Sequence, residues 1–66
     1  MIKASQTLKD FIKAQKSMDD FAKNLDVTRQ TIYNILDGVR ISSDMLEKIM
    51  NKTGMSFEKA FETDEN

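Results

Sequence analysis

The chain has 66 residues, with no Cys and no His, ten Lys and Arg against eleven Asp and Glu, and a formal net charge of −1. A chain this short forms one small domain with an economical core, and without thiols or imidazoles it has no disulfide, no thiolate nucleophile and none of the usual metal ligands or general bases, so neither an enzyme nor a cofactor is expected. The opening stretch MIKASQTLKD holds no long apolar run, so no signal peptide or membrane span is expected, and a cytoplasmic location is the default.

Residues 5–16, SQTLKDFIKAQK, carry Leu8, Phe11 and Ile12 at i, i+3 and i+4, with Lys9, Lys13 and Lys16 on other faces. That spacing predicts a first amphipathic helix. The next stretch, SMDDFAKNLDVTRQTIYNILDG over 17–38, reads as two short helices joined by a tight turn. Ser17 is the expected cap of the second helix, with Asp20 three residues on completing a weak capping box, and Phe21, Ala22 and Leu25 share its inner face. The chain turns at Asp26 and Val27. Thr28 then caps a third helix in which Ile32, Ile35 and Leu36 repeat the helical spacing, and Gly38 ends it.

With those apolar residues facing inward, Arg29, Gln30, Thr31, Tyr33 and Asn34 are left on the outside of the third helix. A polar outer face is what most amphipathic helices present to water. An Arg-Gln pair opening a helix just after a helix and a turn is a different matter, because Arg matches guanine O6 and N7, and Gln or Asn matches adenine N6 and N7. Tyr33 has two readings, its ring covering the edge of the core or its hydroxyl bonding a phosphate.

Val39, Arg40 and Ile41 form a short connection in which Ile41 drops into the core and Arg40 stays solvated. Ser42 or Ser43 caps a fourth helix with Leu46, Ile49, Met50 and Thr53 on one stripe and Gly54 closing it. Ser56 caps a short fifth helix, FEKAF, with Phe57, Ala60 and Phe61 on one side, and the polar ETDEN after it is expected to fray. The expected architecture is all-α, five short helices in one domain, with a core over about 5–61 and an acidic tail over 62–66.

Charge is unevenly spread. Residues 1–57 hold nine basic side chains against seven acidic, and residues 58–66 hold one against four, so a mildly basic body stands apart from an acidic end. This leaves room for a positive nucleic-acid face, although a solvated surface without a partner is an equal reading of charge alone. Asp19 and Asp20 fit the positive end of a helix dipole better than a catalytic or metal-binding pair. Most of the five methionines, the initiator with Met18, Met45, Met50 and Met55, read as core filler rather than as a peptide groove. The sequon Asn51-Lys52-Thr53 falls inside a predicted helix and carries no weight.

The run Ala22-Lys23-Asn24-Leu25-Asp26-Val27-Thr28-Arg29-Gln30-Thr31-Ile32 resembles the lambda-repressor and Cro type of phage and bacterial regulators: alanine, three residues, a turn glycine, a hydrophobic residue, a capping Ser or Thr, then Arg-Gln-Thr-Ile. The resemblance extends over roughly residues 5–61. Two positions depart from it. Asp26 stands where the family has the turn glycine, and Lys16 stands where it has a leucine before the capping serine, removing the usual hydrophobic staple.

The resemblance implies a transcriptional regulator, a repressor above all, whose third helix enters the major groove of double-stranded DNA. Arg29, Gln30 and Asn34 would face base edges, and Ser17, Thr28, Thr31, Tyr33 and Arg40 the sugar-phosphate backbone. It also implies two copies on a palindromic operator, weakly joined and assembled on the DNA. With no second domain to hold such a dimer, the contact is expected from Met55, Phe57 and Phe61, the apolar residues expected to stay partly exposed. The alternative from another class is a protein-binding module of the same fold, an antitoxin or accessory factor. No small-molecule ligand is expected under either reading.

Overall fold

Four of the five helices begin on a hydroxyl. In the computed structural model, which describes residues 1–63, the side chains of Ser5, Ser17, Thr28 and Ser42 accept hydrogen bonds from the N–H groups of Leu8 (3.2 Å), Asp20 (3.3 Å), Thr31 (3.3 Å) and Met45 (3.5 Å). Each bond satisfies one of the donors that a helix start leaves without a partner. The helices that follow are α1 (Gln6–Lys13), α2 (Met18–Asn24), α3 (Arg29–Leu36) and α4 (Ser43–Thr53). The fifth, α5 (Phe57–Ala60), has Ser56 at its cap position, but its hydroxyl makes no capping bond; the Ser56 carbonyl instead accepts from Lys59 and Ala60 N–H at 3.2 and 3.0 Å.

Two helices stop on glycines in the left-handed region. After α3, Gly38 (φ +85°) lets its own N–H reach the Ile35 carbonyl at 3.1 Å and the Val39 N–H reach the Asn34 carbonyl at 3.0 Å. That pair of bonds is the Schellman arrangement. After α4, Gly54 (φ +73°) donates to the Met50 carbonyl at 2.9 Å. The helix expected over 5–16 is shorter than that span: it holds Leu8, Phe11 and Ile12 but ends at Lys13, with Ala14 as its cap.

Leu8 and Ile12 of α1, Leu25 after α2, Ile32 of α3 and Ile49 of α4 are fully buried and meet at the centre. Each stabilises the fold by roughly 1.5–3 kcal/mol through burial alone. Ala22, small and 2% exposed, lies where α2 packs on α3, and Ile41 joins the same core as expected. Lys16 is exposed, so no staple forms there. Phe21 instead takes Phe11 of α1 as its partner, with ring centroids 6.2 Å apart and planes tilted by 57°, which ties α2 to α1.

The bundle also carries a small sheet that the sequence reading does not contain. Strand β1 (Ile2–Ala4) pairs antiparallel with β2 (Phe61–Thr63), in the register Ile2 with Thr63, Lys3 with Glu62 and Ala4 with Phe61. The Ser5 N–H extends the pairing to the Ala60 carbonyl at 2.9 Å, and the Ser5 hydroxyl donates to the Lys59 carbonyl. On the other side of β1 the Ile2 carbonyl accepts from the Ile41 N–H at 2.8 Å. Glu62 and Thr63 are therefore paired backbone rather than the start of a fraying tail, and the rest of the expected tail, residues 64–66, lies outside the described residues.

This sheet changes one residue's place. The sequence places Phe61 on one side of a fifth helix with Phe57 and Ala60, partly exposed; that helix ends at Ala60, Phe61 takes extended backbone (φ −130°, ψ 154°) and its side chain turns into the core, 4% exposed. It does not join an exposed apolar patch. Among the described residues no helix is long and apolar enough to cross a membrane, and no buried side-chain nitrogen or oxygen lacks a hydrogen-bond partner.

Candidate nucleic-acid interface

The turn between α2 and α3 is held by its backbone. Leu25 N–H donates to the Phe21 carbonyl at 3.1 Å, Asp26 N–H to that of Lys23 at 3.0 Å and Val27 N–H to that of Ala22 at 2.9 Å. Asp26 sits at φ +59°, the left-handed conformation expected of the position where the resemblance has glycine. Thr28 then starts α3, and its Oγ1 also lies 3.1 Å from the hydroxyl of Thr31.

Ile32 and Ile35 anchor α3 from below. Arg29, Gln30 and Tyr33 are exposed on the opposite side, with Thr31 and Asn34 half-buried along its edge. Tyr33 is 44% exposed, so its ring does not seal the core. The Gln30 amide Nε2 donates to Asn34 Oδ1 at 3.0 Å, one turn further along. The bond links the two amides along the helix and makes no use of the Gln30 carbonyl oxygen or the Asn34 amide hydrogens.

Arg29 is tied down as well. Its Nη1 lies 3.3 Å from Asp19 Oδ1 on α2, with both side chains more than half exposed. The reading of Asp19 as a helix-dipole acid misses this contact, since residues ten apart on separate helices share no periodic signal. Asp20, in the same first turn, makes no such contact.

Arg40 and Ser42 lie past the C-terminal end of α3, both exposed. A cleft of about 190 Å³ runs between Thr31 and Asn34 on α3, Arg40 and Ile41 in the connection, and Ser42 and Met45 at the start of α4. Its polar rim continues the outer face of α3 toward Arg40. Ser17, half-buried at the start of α2, uses its hydroxyl for capping, as Thr28 does for α3, and both keep further acceptor and donor capacity. Of the three apolar residues expected to pair two copies, Phe57 is 39% exposed, Met55 is half-buried against the core, and Phe61 is inside, its ring 5.4 Å from that of Phe57.

Two helices packed through a small residue across a short turn, the second carrying a bare polar face, define a helix-turn-helix domain. The helix-turn-helix family model matches residues 8–59, and the chain belongs to this Cro/C1-type family of DNA-binding transcription regulators. No curated protein and no solved structure matches the chain at a significant level.

Proposed function

We propose that the protein is a sequence-specific repressor of the phage or bacterial Cro/C1 kind, acting in the cytoplasm on a palindromic operator and doing no chemistry of its own. The observation that carries this reading is the outer face of α3, where Arg29 and Gln30 are exposed beside Asn34 while Ile32, Ile35 and Leu36 pack the helix onto the core. In the major groove Arg29 faces a guanine edge, and the bonded Gln30 and Asn34 amides present an acceptor and donors to an adenine edge. Ser17, Thr28, Thr31, Tyr33 and Arg40 surround that face and fix its register against phosphates.

A few base-reading side chains specify only a few base pairs, so useful discrimination requires two copies, with recognition helices about 34 Å apart on the duplex. Met55 and Phe57 supply the contact between copies. With Phe61 buried the patch is smaller than the sequence implies, which makes a weak interface that the DNA completes.

Selection of bound sequences from a random-sequence duplex pool tests the proposal. Enrichment of a short palindrome is expected, and Arg29→Ala or Gln30→Ala costs about 1–3 kcal/mol on it while relaxing preference at one base pair each. Failure to enrich any sequence overturns the proposal in favour of a protein-binding module, an antitoxin or accessory factor, to which the net charge of −1 and the exposed Phe57 are suited.

A further inference from the structure

The contact between Asp19 and Arg29 does little for folding. Both partners are more than half exposed, and an ion pair so placed contributes little to stability. Nor does the helix dipole require it, because Asp19 and Asp20 both occupy the first turn of α2 and answer its positive end alike. Only Asp19 reaches across the turn to the side chain that stands first on α3.

We propose that Asp19 is a specificity-determining, positioning residue: its carboxylate holds the Arg29 guanidinium for a base edge and disfavours the use of that guanidinium as a general phosphate clamp. The proposal rests on the reading of α3 as a DNA-reading helix. A guanidinium has five N–H donors in a fixed fork, two of them on Nη1. With Nη1 held 3.3 Å from Asp19 Oδ1, even a hydrogen given to that contact leaves the other on Nη1, with those on Nη2 and Nε, for a second partner. Guanine needs two parallel donors for O6 and N7, and that demand is met without breaking the contact to Asp19.

A phosphate asks for the same fork but brings a negative charge up to a guanidinium already beside a carboxylate. Like charges so close repel, whereas the guanine edge is neutral and incurs no such cost. The carboxylate therefore subtracts from binding to any sequence while leaving binding to the correct base pair intact. Gln30 does not compete for this place, because its amide is directed along α3 to Asn34.

Asp19→Asn removes the charge and keeps the shape. Affinities are measured for the duplex enriched from a random-sequence pool, for its variants at the base pair that Arg29→Ala relaxes, and for a scrambled duplex of the same composition. The Asn variant binds the scrambled duplex more tightly and loses discrimination at that one base pair, each by up to about fivefold, the range of an exposed ion pair. Asp20→Asn, the same charge change on the same turn without the contact, leaves discrimination there unchanged. In an Arg29→Ala background Asp19→Asn has no effect on base preference. Unchanged discrimination in a folded Asp19→Asn protein overturns the proposal while leaving the DNA-reading helix standing. Unchanged base preference in Arg29→Ala overturns both. Asp19→Ser, which a first helical turn accepts, repeats the measurement if the Asn variant does not fold.

Discussion

Replacing Asp26 separates backbone strain from every other contribution at the turn. The residue lies at φ +59°, is exposed, and its side chain enters no hydrogen bond or ion pair among the described residues. For an ordinary L-residue this conformation costs roughly 1–2 kcal/mol, and Asp suffers less than most. Glycine removes the strain but loses roughly 0.5–1 kcal/mol through the greater freedom of its unfolded chain. The difference favours Asp26→Gly by a few tenths to about 1 kcal/mol, and Asp26→Ala, which keeps a Cβ and loses the tolerance of Asp, falls below the parent by a similar amount. For a domain of this size that is a midpoint roughly 2–8 °C higher for Gly and lower for Ala, read by far-UV circular dichroism. Asp26→Asn controls for the lost charge and stays close to the parent. A Gly variant less stable than the parent, or an Ala variant equal to it, would show that strain at φ +59° does not govern this turn.

Gly38→Ala should lower stability by about 1 kcal/mol although nothing lies within 4 Å of the added methyl, because the cost is the φ of +85° and not a clash; chemical denaturation measures it. Arg40→Ala should weaken binding to all duplexes alike and reduce the slope of log affinity against log salt by about one contact, in contrast with the base-selective loss in Arg29→Ala. Sedimentation should find a monomer or weak dimer in free solution and two chains on a palindromic duplex, with Phe57→Ser loosening that assembly; a saturated complex of one chain per site contradicts the pairing.

The helices were legible because each carries its signals locally. Ser17, Thr28 and Ser42 precede apolar positions at helical spacing, Gly38 and Gly54 follow them, and the same residues cap and stop the helices in three dimensions. The left-handed Asp26 was legible for a similar reason, since the pattern around it places a glycine there. The sheet was not, because Ile2–Ala4 and Phe61–Thr63 are too short for an alternation to register and their partners are at opposite ends of the sequence. The misplacement of Phe61 follows directly: in FEKAF it continues the helical stripe of Phe57 and Ala60, and only the demand of β1 for a partner pulls it into extended backbone. At the interface, the outward face of α3 follows from periodicity, whereas the side-chain pairings of Arg29 with Asp19 and Gln30 with Asn34 depend on rotamers and on the meeting of two helices.

The pairing of β1 with β2 orders events in folding. Closing a loop between Ile2 and Thr63 from a free chain costs about 3.6 kcal/mol in the length-dependent part alone, more than two three-residue strands recover at about 1 kcal/mol per hydrogen bond. The strands therefore zip only after the helices have brought the ends together, which places them late, on the native side of the folding barrier. Substitutions in β1 or β2 should accelerate unfolding and leave the folding rate nearly untouched. Amide protons of the strands should exchange through a partial opening below the global one, and Ile41, whose N–H is bonded to Ile2, should exchange with them. The segment that follows α3 thus shares the kinetic fate of the chain's first residues rather than that of the helix it leaves.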